Sequence, residues 1–501
     1  LKKAVDYGEM AAERATDVYA YGEAARLMHQ AHRVQEILEP DDKTKRCNLL
    51  LSICEKLLLA GEPRHVLENE APAAFFLAES IGNNEYASKA CIMAIWARVW
   101  ETAGVFRGTD EEIQWAERIN RYAKPDTLAC VWADIISGTL NYMKGRVTPD
   151  MTLIIEGVSL LTRAVDTARR IDDVEALWAI SFYYIFYTSA LKHGEERVRL
   201  AEEVVNRPRT GVSLFSHSTG LVFSGYAFLE TGKRDRAEEV WQEFLDIAKR
   251  TRQPALLVNS AQVESQLAFL DGRLDEAVEI IHNLESRSDE LGFSYFIISV
   301  AGLLLPRPLF HLGKAEEALQ LVKLISPFPW TVAVCLAYMG HEKEAVESLE
   351  QGMTDYPMAG SDQDESTAFS SICLLEAAVL LNHKQIAELL LERLRSTTVR
   401  TTAMWWLTCI PRHLGGAAAL LGRCKEARQH YQEAIKVCTE MRFRPELALS
   451  RFQLAELLLD HYPKEKAEAL EHLDFAVEEF REMKMQPALE RALQRKDILK
   501  V

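Results

Sequence analysis

Thr231-Gly232-Lys233-Arg234-Asp235-Arg236-Ala237-Glu238-Glu239-Val240-Trp241-Gln242-Glu243-Phe244-Leu245 is the stretch from which the rest of the chain can be read. A glycine closes one apolar helical run and an alanine follows five residues later. Ala237, Val240, Trp241, Phe244 and Leu245 then share one face, at the three- and four-residue steps of a helix. The same unit returns at Gly272 with Ala277, Gly313 with Ala318, Gly340 with Ala345 and Gly422 with Ala427. A spacing of about forty residues marks a solenoid of stacked supersecondary units.

Weaker copies extend the pattern both ways. Upstream, turns are expected near Tyr21, Gly61, Gly108, Gly145 and Gly194. Downstream, Asn382 stands in for glycine in register with Ala387, and Tyr462 keeps register with Ala467. Asn tolerates the left-handed conformation that such turns need. The total is about twelve helix pairs. Pro125, Pro254, Pro445 and Pro487 stand near the starts of apolar runs, where a missing N–H costs nothing. Pro306 lies inside a run and is expected to split its helix. The short Gly313–Gly340 spacing implies a truncated pair, and the long Gly145–Gly194 spacing a loop at Arg146–Asp150. Gly352–Glu365, with Gly360-Ser361-Asp362-Gln363-Asp364, reads as a mobile acidic surface loop between repeats at 1–351 and repeats with a C-terminal capping helix at 366–501.

The charge balance, 58 basic against 74 acidic residues, gives −16 and argues against nucleic-acid binding, which requires clustered Lys and Arg. The nine cysteines form no Cys-x-x-Cys pair and read as reduced thiols, which suits the cytoplasm. The most apolar stretches, Trp178–Leu191 and Tyr295–Leu305, are shorter than the roughly 20 residues of a membrane span. Leu1 is no start methionine and Leu1–Val5 already reads as helix, so the chain is expected to continue an upstream part.

The unit of glycine, three residues, a usually acidic residue and alanine resembles the tetratricopeptide repeat (TPR). Gly138 and Gly225, each seven residues before a turn glycine, match the small position of that repeat's first helix. The usual period is 34, so the helices here are expected to be longer. Ala11-Ala12-Glu13-Arg14-Ala15, Tyr19–Leu27, Arg46–Leu51 and Ala60-Gly61-Glu62-Pro63-Arg64 resemble the helical arm of bacterial signal-transduction ATPases. Those include maltose-regulator and LuxR-type activators and fusions with an adenylate or guanylate cyclase. No helix-turn-helix module follows Ala488–Leu493, which favours the cyclase fusions. The resemblance implies an all-α TPR-like superhelix serving as a sensor or partner platform, with ATPase or cyclase modules in cis.

Chemistry is sparse. Gly232-Lys233-Arg234 and Gly313-Lys314-Ala315 are repeat turns rather than phosphate loops. His29 and His32 are spaced as metal ligands can be, but no partner set converges, so they read as a surface pair. Ser213, Ser216 and His217 supply nucleophile and base types without an orienting third group. No catalytic, metal or cofactor residue is assigned.

Binding residues follow from the register. In TPRs the first helix of each pair lines the concave face. Positions thirteen, ten, six and three before each turn glycine give Arg98, Trp132, Tyr142, Tyr226, Asn259, Gln262, Gln266 and Arg307, with Glu376 and Arg412 from later repeats. Tyr183 and Tyr187 enter with a one-residue slip, out of a cluster that reads first as a core helix between two neighbours. Asn259, Gln262 and Gln266 either are exposed polar positions or pair with an extended peptide backbone or small polar ligand. The expected function is non-catalytic: a protein segment or small effector bound in the groove, where contacts across repeats change superhelical pitch. A stand-alone assembly adaptor and a helical-repeat enzyme are the alternatives.

Overall fold

The computed structural model describes residues 2–18, 20–102, 108–148, 150–291, 294–325, 328–354, 361 and 364–498. Over these residues the chain is an all-α TPR-like array. In chain order its helices fall into twelve successive pairs and a final helix, Gln486–Ile498. Among the described residues extended structure is limited to two isolated bridges, Ala190 with Thr367 and Thr401 with Cys409. No described helix is long and apolar enough to cross a membrane.

The repeating turn works as its residues dictate. In the helix Leu214–Glu230 the last carbonyls lack intrahelical donors. The Lys233 and Gly232 amides cap Phe228 and Leu229, at 2.9 and 3.0 Å, which requires the left-handed conformation seen at Gly232 (φ 84°). Asn382 adopts the same conformation (φ 56°). Ala237, Ala277, Ala318, Ala345, Ala387 and Ala427 are fully buried, so the second helix of each pair sits close to the first. Gly225 serves that approach: a β-carbon there would overlap the indole of Trp241, whose Nε1 donates to Val222 O at 3.0 Å.

Several register details differ from the sequence reading. Gly145 lies inside the helix Leu128–Val147, and a β-carbon on it would come within 2.9 Å of the Ile154 amide. That helix ends at Val147, and the next opens at Met151, capped by Asp150. Gly194 is right-handed (φ −56°) and opens the helix Gly194–Val205 after a short 3-10 turn. At the other end a 3-10 turn, Pro463–Glu465, shifts the register, so Ala469 is buried and Ala467 exposed. Pro306 separates Ser294–Leu304 from Pro306–His311, as its missing N–H requires. Of the stretch read as a loop at 352–365, Gly352–Thr354 end a helix, and 355–360 and 362–363 lie outside the described residues. Glu365 is buried and paired with Lys192 at 2.7 Å and His193 at 3.2 Å.

The chain divides into two compact units. The first comprises Leu1–Thr188, Asn206–Gly220 and Ile247–Leu257. In it Lys2–Asp17 packs on Tyr21–Leu38, Lys43–Ala60 on Ala71–Ser80, Asn84–Thr102 on Asp110–Tyr122, and Leu128–Val147 on Met151–Ile171. The last two cross closely at Gly138 and Gly157, where a β-carbon on Gly138 would lie 2.9 Å from Gly157 O.

The second unit comprises Ser189–Val205, Leu221–Asp246 and Val258–Val501. Neighbouring repeats in it are joined by Arg–carboxylate pairs about one repeat apart, among them Arg234–Asp271 (2.5 Å), Arg428–Glu465 (2.6 Å) and Arg444–Glu479 (3.0 Å). Turns far apart in sequence also meet. Arg234 donates to the carbonyls of Met441 and Arg442, at 3.1 and 2.9 Å, across 207 and 208 residues. Arg442 returns to Asp235 and Glu238, and Lys484 reaches Asp275 at 2.7 Å. Unit 2 therefore winds so that repeats about five apart touch.

Candidate functional site

In unit 1 the candidate residues gather into an aromatic ladder. Trp132 on Leu128–Val147 meets Trp96 (5.6 Å between ring centroids) and Tyr183 (6.1 Å), both edge to face. Tyr183 stacks parallel to Tyr187 at 6.5 Å, and Tyr187 meets Tyr142 at 5.5 Å. The ladder thus spans three successive first helices, Asn84–Thr102, Leu128–Val147 and Val174–Tyr187. Trp132, Tyr183 and Tyr187 are fully buried and Tyr142 is half-buried. Such pairs add to cohesion beyond the area they bury. Arg98 does not join them. It donates to Glu112 at 2.9 Å and Glu101 at 2.5 Å, tying its helix to Asp110–Tyr122.

The hydroxyl cluster in unit 1 has another job. Glu175 accepts from Ser213 N (2.7 Å), Ser213 Oγ (2.8 Å) and Ser216 Oγ (2.6 Å), so it caps the start of Leu214–Glu230. Burial raises the Glu175 pKa against these hydrogen bonds. His217 packs edge-on to Trp178 at 5.0 Å. The Ser213 hydroxyl is thus engaged by Glu175 and by Ser216 Oγ at 3.1 Å. His29 and His32 lie 3.8 and 3.9 Å from Glu70 and Glu36, and burial lowers the pKa of both. Among the described residues no His, Cys, Asp or Glu group is arranged to hold a metal.

Unit 2 holds the denser site, built around a segment of the chain itself. Between Lys384–Leu394 and Ile410–Leu420 the connection 396–409 forms no helix. The amides of Arg400 and Thr401 donate to Glu230 O (2.7 and 3.2 Å), and Thr401 Oγ1 donates to Leu229 O (3.0 Å). Pro306 ends the Ser294–Leu304 helix and leaves its last carbonyls without intrahelical donors; the Trp406 amide fills one, Leu303 O, at 3.2 Å. Gln266 Nε2 donates to Met404 O at 2.9 Å, and Arg307 Nε to Trp406 O at 3.3 Å. The Trp406 ring lies between Phe310 (5.5 Å) and Phe369 (5.8 Å) and is 1 % exposed. Thr408 Oγ1 donates to Glu446 at 2.7 Å, and the Cys409 amide donates to the same carboxylate at 3.1 Å. The contacting groups belong to the first helices of five pairs, Leu214–Glu230, Pro254–Leu270, Ser294–Leu304 with Pro306–His311, Ala368–Leu380 and Arg444–His461.

Beneath this segment lie two buried ion pairs. Arg307 donates through Nη1 to Glu376 Oε1 at 2.7 Å, and its Nη2 lies 2.6 Å from Oε2 without hydrogen-bond alignment, an ionic contact on that edge. Tyr338 donates to Glu376 at 2.8 Å through an inward hydroxyl. Arg412 donates to Glu446 at 2.6 and 3.1 Å. Burial pushes both carboxyls upward, but Arg307 holds Glu376 well below the usual range and Arg412 holds Glu446 near a pKa of about 2. His311 and His413 are buried with them, and desolvation lowers their pKa values to about 4 and about 3. Both are neutral at pH 7, so the cluster is two cations against two anions.

Of the remaining candidates, Tyr226 is buried against Trp241 at 5.2 Å, and burial raises its pKa. Asn259 and Gln262 are half-buried on the helix that carries Gln266. Sequence reasoning passed over 396–409, Tyr338, His311, His413 and Glu446. Their available signals were the run of threonines beside Trp405-Trp406, which lacks helical period, and the one-repeat spacing of Arg412 and Glu446.

No family model matches the sequence, and no curated protein matches it. Among solved structures the chain is similar to one in the crystal structure of the APC/C hetero-tetramer Cut9–Hcn1, with a TM-score of 0.44 and 12 % identity. That alignment covers 98 % of this chain and 96 % of the other.

Proposed function

We propose that the chain is a non-catalytic binding scaffold whose inner helices hold a partner's polypeptide segment, acting as the sensor arm of a larger bacterial cytoplasmic signalling protein. The observation that carries this reading is the way Gln266 and Arg307 treat a peptide. Each donates to a backbone carbonyl of 396–409, while aromatic rings enclose the Trp406 side chain. Amide and guanidinium donors aimed at carbonyls, with an aromatic anchor pocket beside them, are the chemistry of peptide recognition. Asn259 and Gln262 extend that donor row by two helical turns on the same helix. The resemblance of the N-terminal text to signalling ATPase arms supports an ATPase or cyclase module in cis.

The contacts between distant turns of unit 2 favour a stiff platform over an elastic one. They support the alternative of a stand-alone assembly adaptor. Sequencing the gene around this chain separates the two: an in-frame phosphate-loop ATPase supports the arm, and a start codon near residue 1 sinks it. Binding itself is tested with a photo-crosslinking side chain at Asn259 or Gln262, in cells of the source organism. The captured partner is then titrated against purified protein. Asn259→Ala with Gln262→Ala should weaken it about thirtyfold, at roughly 1 kcal/mol per lost hydrogen bond. Unchanged affinity would remove the groove from the reading.

A further inference from the structure

We propose that the inner face of unit 2 is a site for a turn-forming, tryptophan-bearing peptide segment, and that Thr397–Thr408, which reverses between Thr401 and Cys409, occupies it in cis as an exchangeable ligand. The inference rests on the scaffold reading and names the chemistry of the partner.

Three observations converge. First, the segment touches the first helices of five pairs, the surface an array of this kind presents to partners. Second, most of its anchors read backbone: Glu230 O, Leu303 O, Gln266 Nε2 and Arg307 Nε would hold any chain of the same course. Side-chain selection falls on Trp406 between Phe310 and Phe369, Thr408 on Glu446, and Thr401 on Leu229 O. Third, the segment is held in an unfavourable shape. Ala403 and Trp406 are left-handed (φ 46° and 49°), which costs roughly 1–2 kcal/mol per non-glycine residue. A partner segment with glycine in the place of Ala403 avoids part of that cost and competes on better terms. Met404 and Trp405, at the tip, are half-exposed and give an incoming chain its starting point.

The test uses a fluorescent synthetic peptide of residues 397–408 and the full chain. Trp406→Ala weakens the cis occupant and leaves the pocket walls intact. The variant should bind the peptide at least tenfold tighter than wild type, and Gln266→Ala added to it should cost about threefold. A folded Trp406→Ala protein that binds no tighter than wild type overturns the proposal. Hydrogen exchange on the wild-type chain covers the case of a variant that fails to fold. The amides of Thr401, Trp406 and Thr408 should exchange at least tenfold faster than buried amides of Pro254–Leu270, because the segment opens alone. Exchange at the same rate would make the segment a fixed part of the core. In that event the scaffold reading still stands on its crosslinked partner.

Discussion

Replacing Glu446 by glutamine isolates what the buried pair beneath the 396–409 segment contributes. The glutamine amide keeps the shape but only one acceptor oxygen, so it satisfies either Thr408 Oγ1, which donates to Oε1, or the Cys409 amide, which donates to Oε2. It removes the carboxylate hydrogen-bonded to Arg412, whose guanidinium is itself buried. Breaking a buried pair from one side leaves a stranded charge and costs about 3–5 kcal/mol. At about 2 °C per kcal/mol for a unit of this size, Tm should fall by roughly 6–10 °C at pH 7. The pH dependence has a fixed sign. The folded pKa of about 2 lies below the unfolded value, so the stabilisation is complete above about pH 4.3 and is lost as pH falls toward 2. The gap in Tm between wild type and Glu446→Gln should therefore close over that window, followed by circular dichroism at 222 nm. Replacing both partners, Arg412→Met with Glu446→Leu, should recover most of the loss, since a well-packed apolar pair is often neutral or better. A shift below about 2 °C for the single variant, or a double variant worse than the single, would refute the reasoning.

Three further outcomes follow from the same geometry. His311 is buried with its pKa lowered to about 4, so protonation favours unfolding; stability should decline as pH falls from about 6.5 toward 4, and His311→Phe, which keeps the stack on Phe269, should flatten that slope in Tm-versus-pH curves. Gly272→Ala should cost about 2–3 kcal/mol by urea denaturation, because φ is 79° and the new methyl meets Met483; Met483→Ala should return part of the loss, and no coupling between the two would discount that contact. In thiol titration of native protein Cys424 and Cys130 should react first, whereas Cys91 and Cys335, buried with pKa values pushed up to about 12, should wait for unfolding.

The repeat was legible because its turn demands particular residues. Gly232 must be left-handed, Ala237 must let two helices close, and Pro306 must break a ladder of hydrogen bonds. Each requirement leaves one letter at a fixed offset. The errors arise where one letter answers two needs. Gly145 lacks a side chain because a neighbouring helix passes there, which looks in sequence the same as a turn glycine. The central segment was hidden by arithmetic. Asn382 and Gly422 are forty residues apart, like their neighbours, but two 11-residue helices flank the connection that makes up the length. The partnership of Arg307 with Glu376 spans 69 residues and depends on how two turns of helix meet, which no local pattern encodes.

The contacts that join distant turns of unit 2 also set an order on how the chain is made. Arg234 finds Met441 only after 207 more residues exist, and Asp275 waits 209 for Lys484. At about 5–20 residues per second, the ribosome needs roughly ten to forty seconds to deliver them. Until then the early turns stand as a stack held by neighbours alone. The last hundred residues close the coil, so a product shortened at that end loses the partners of repeats finished long before it.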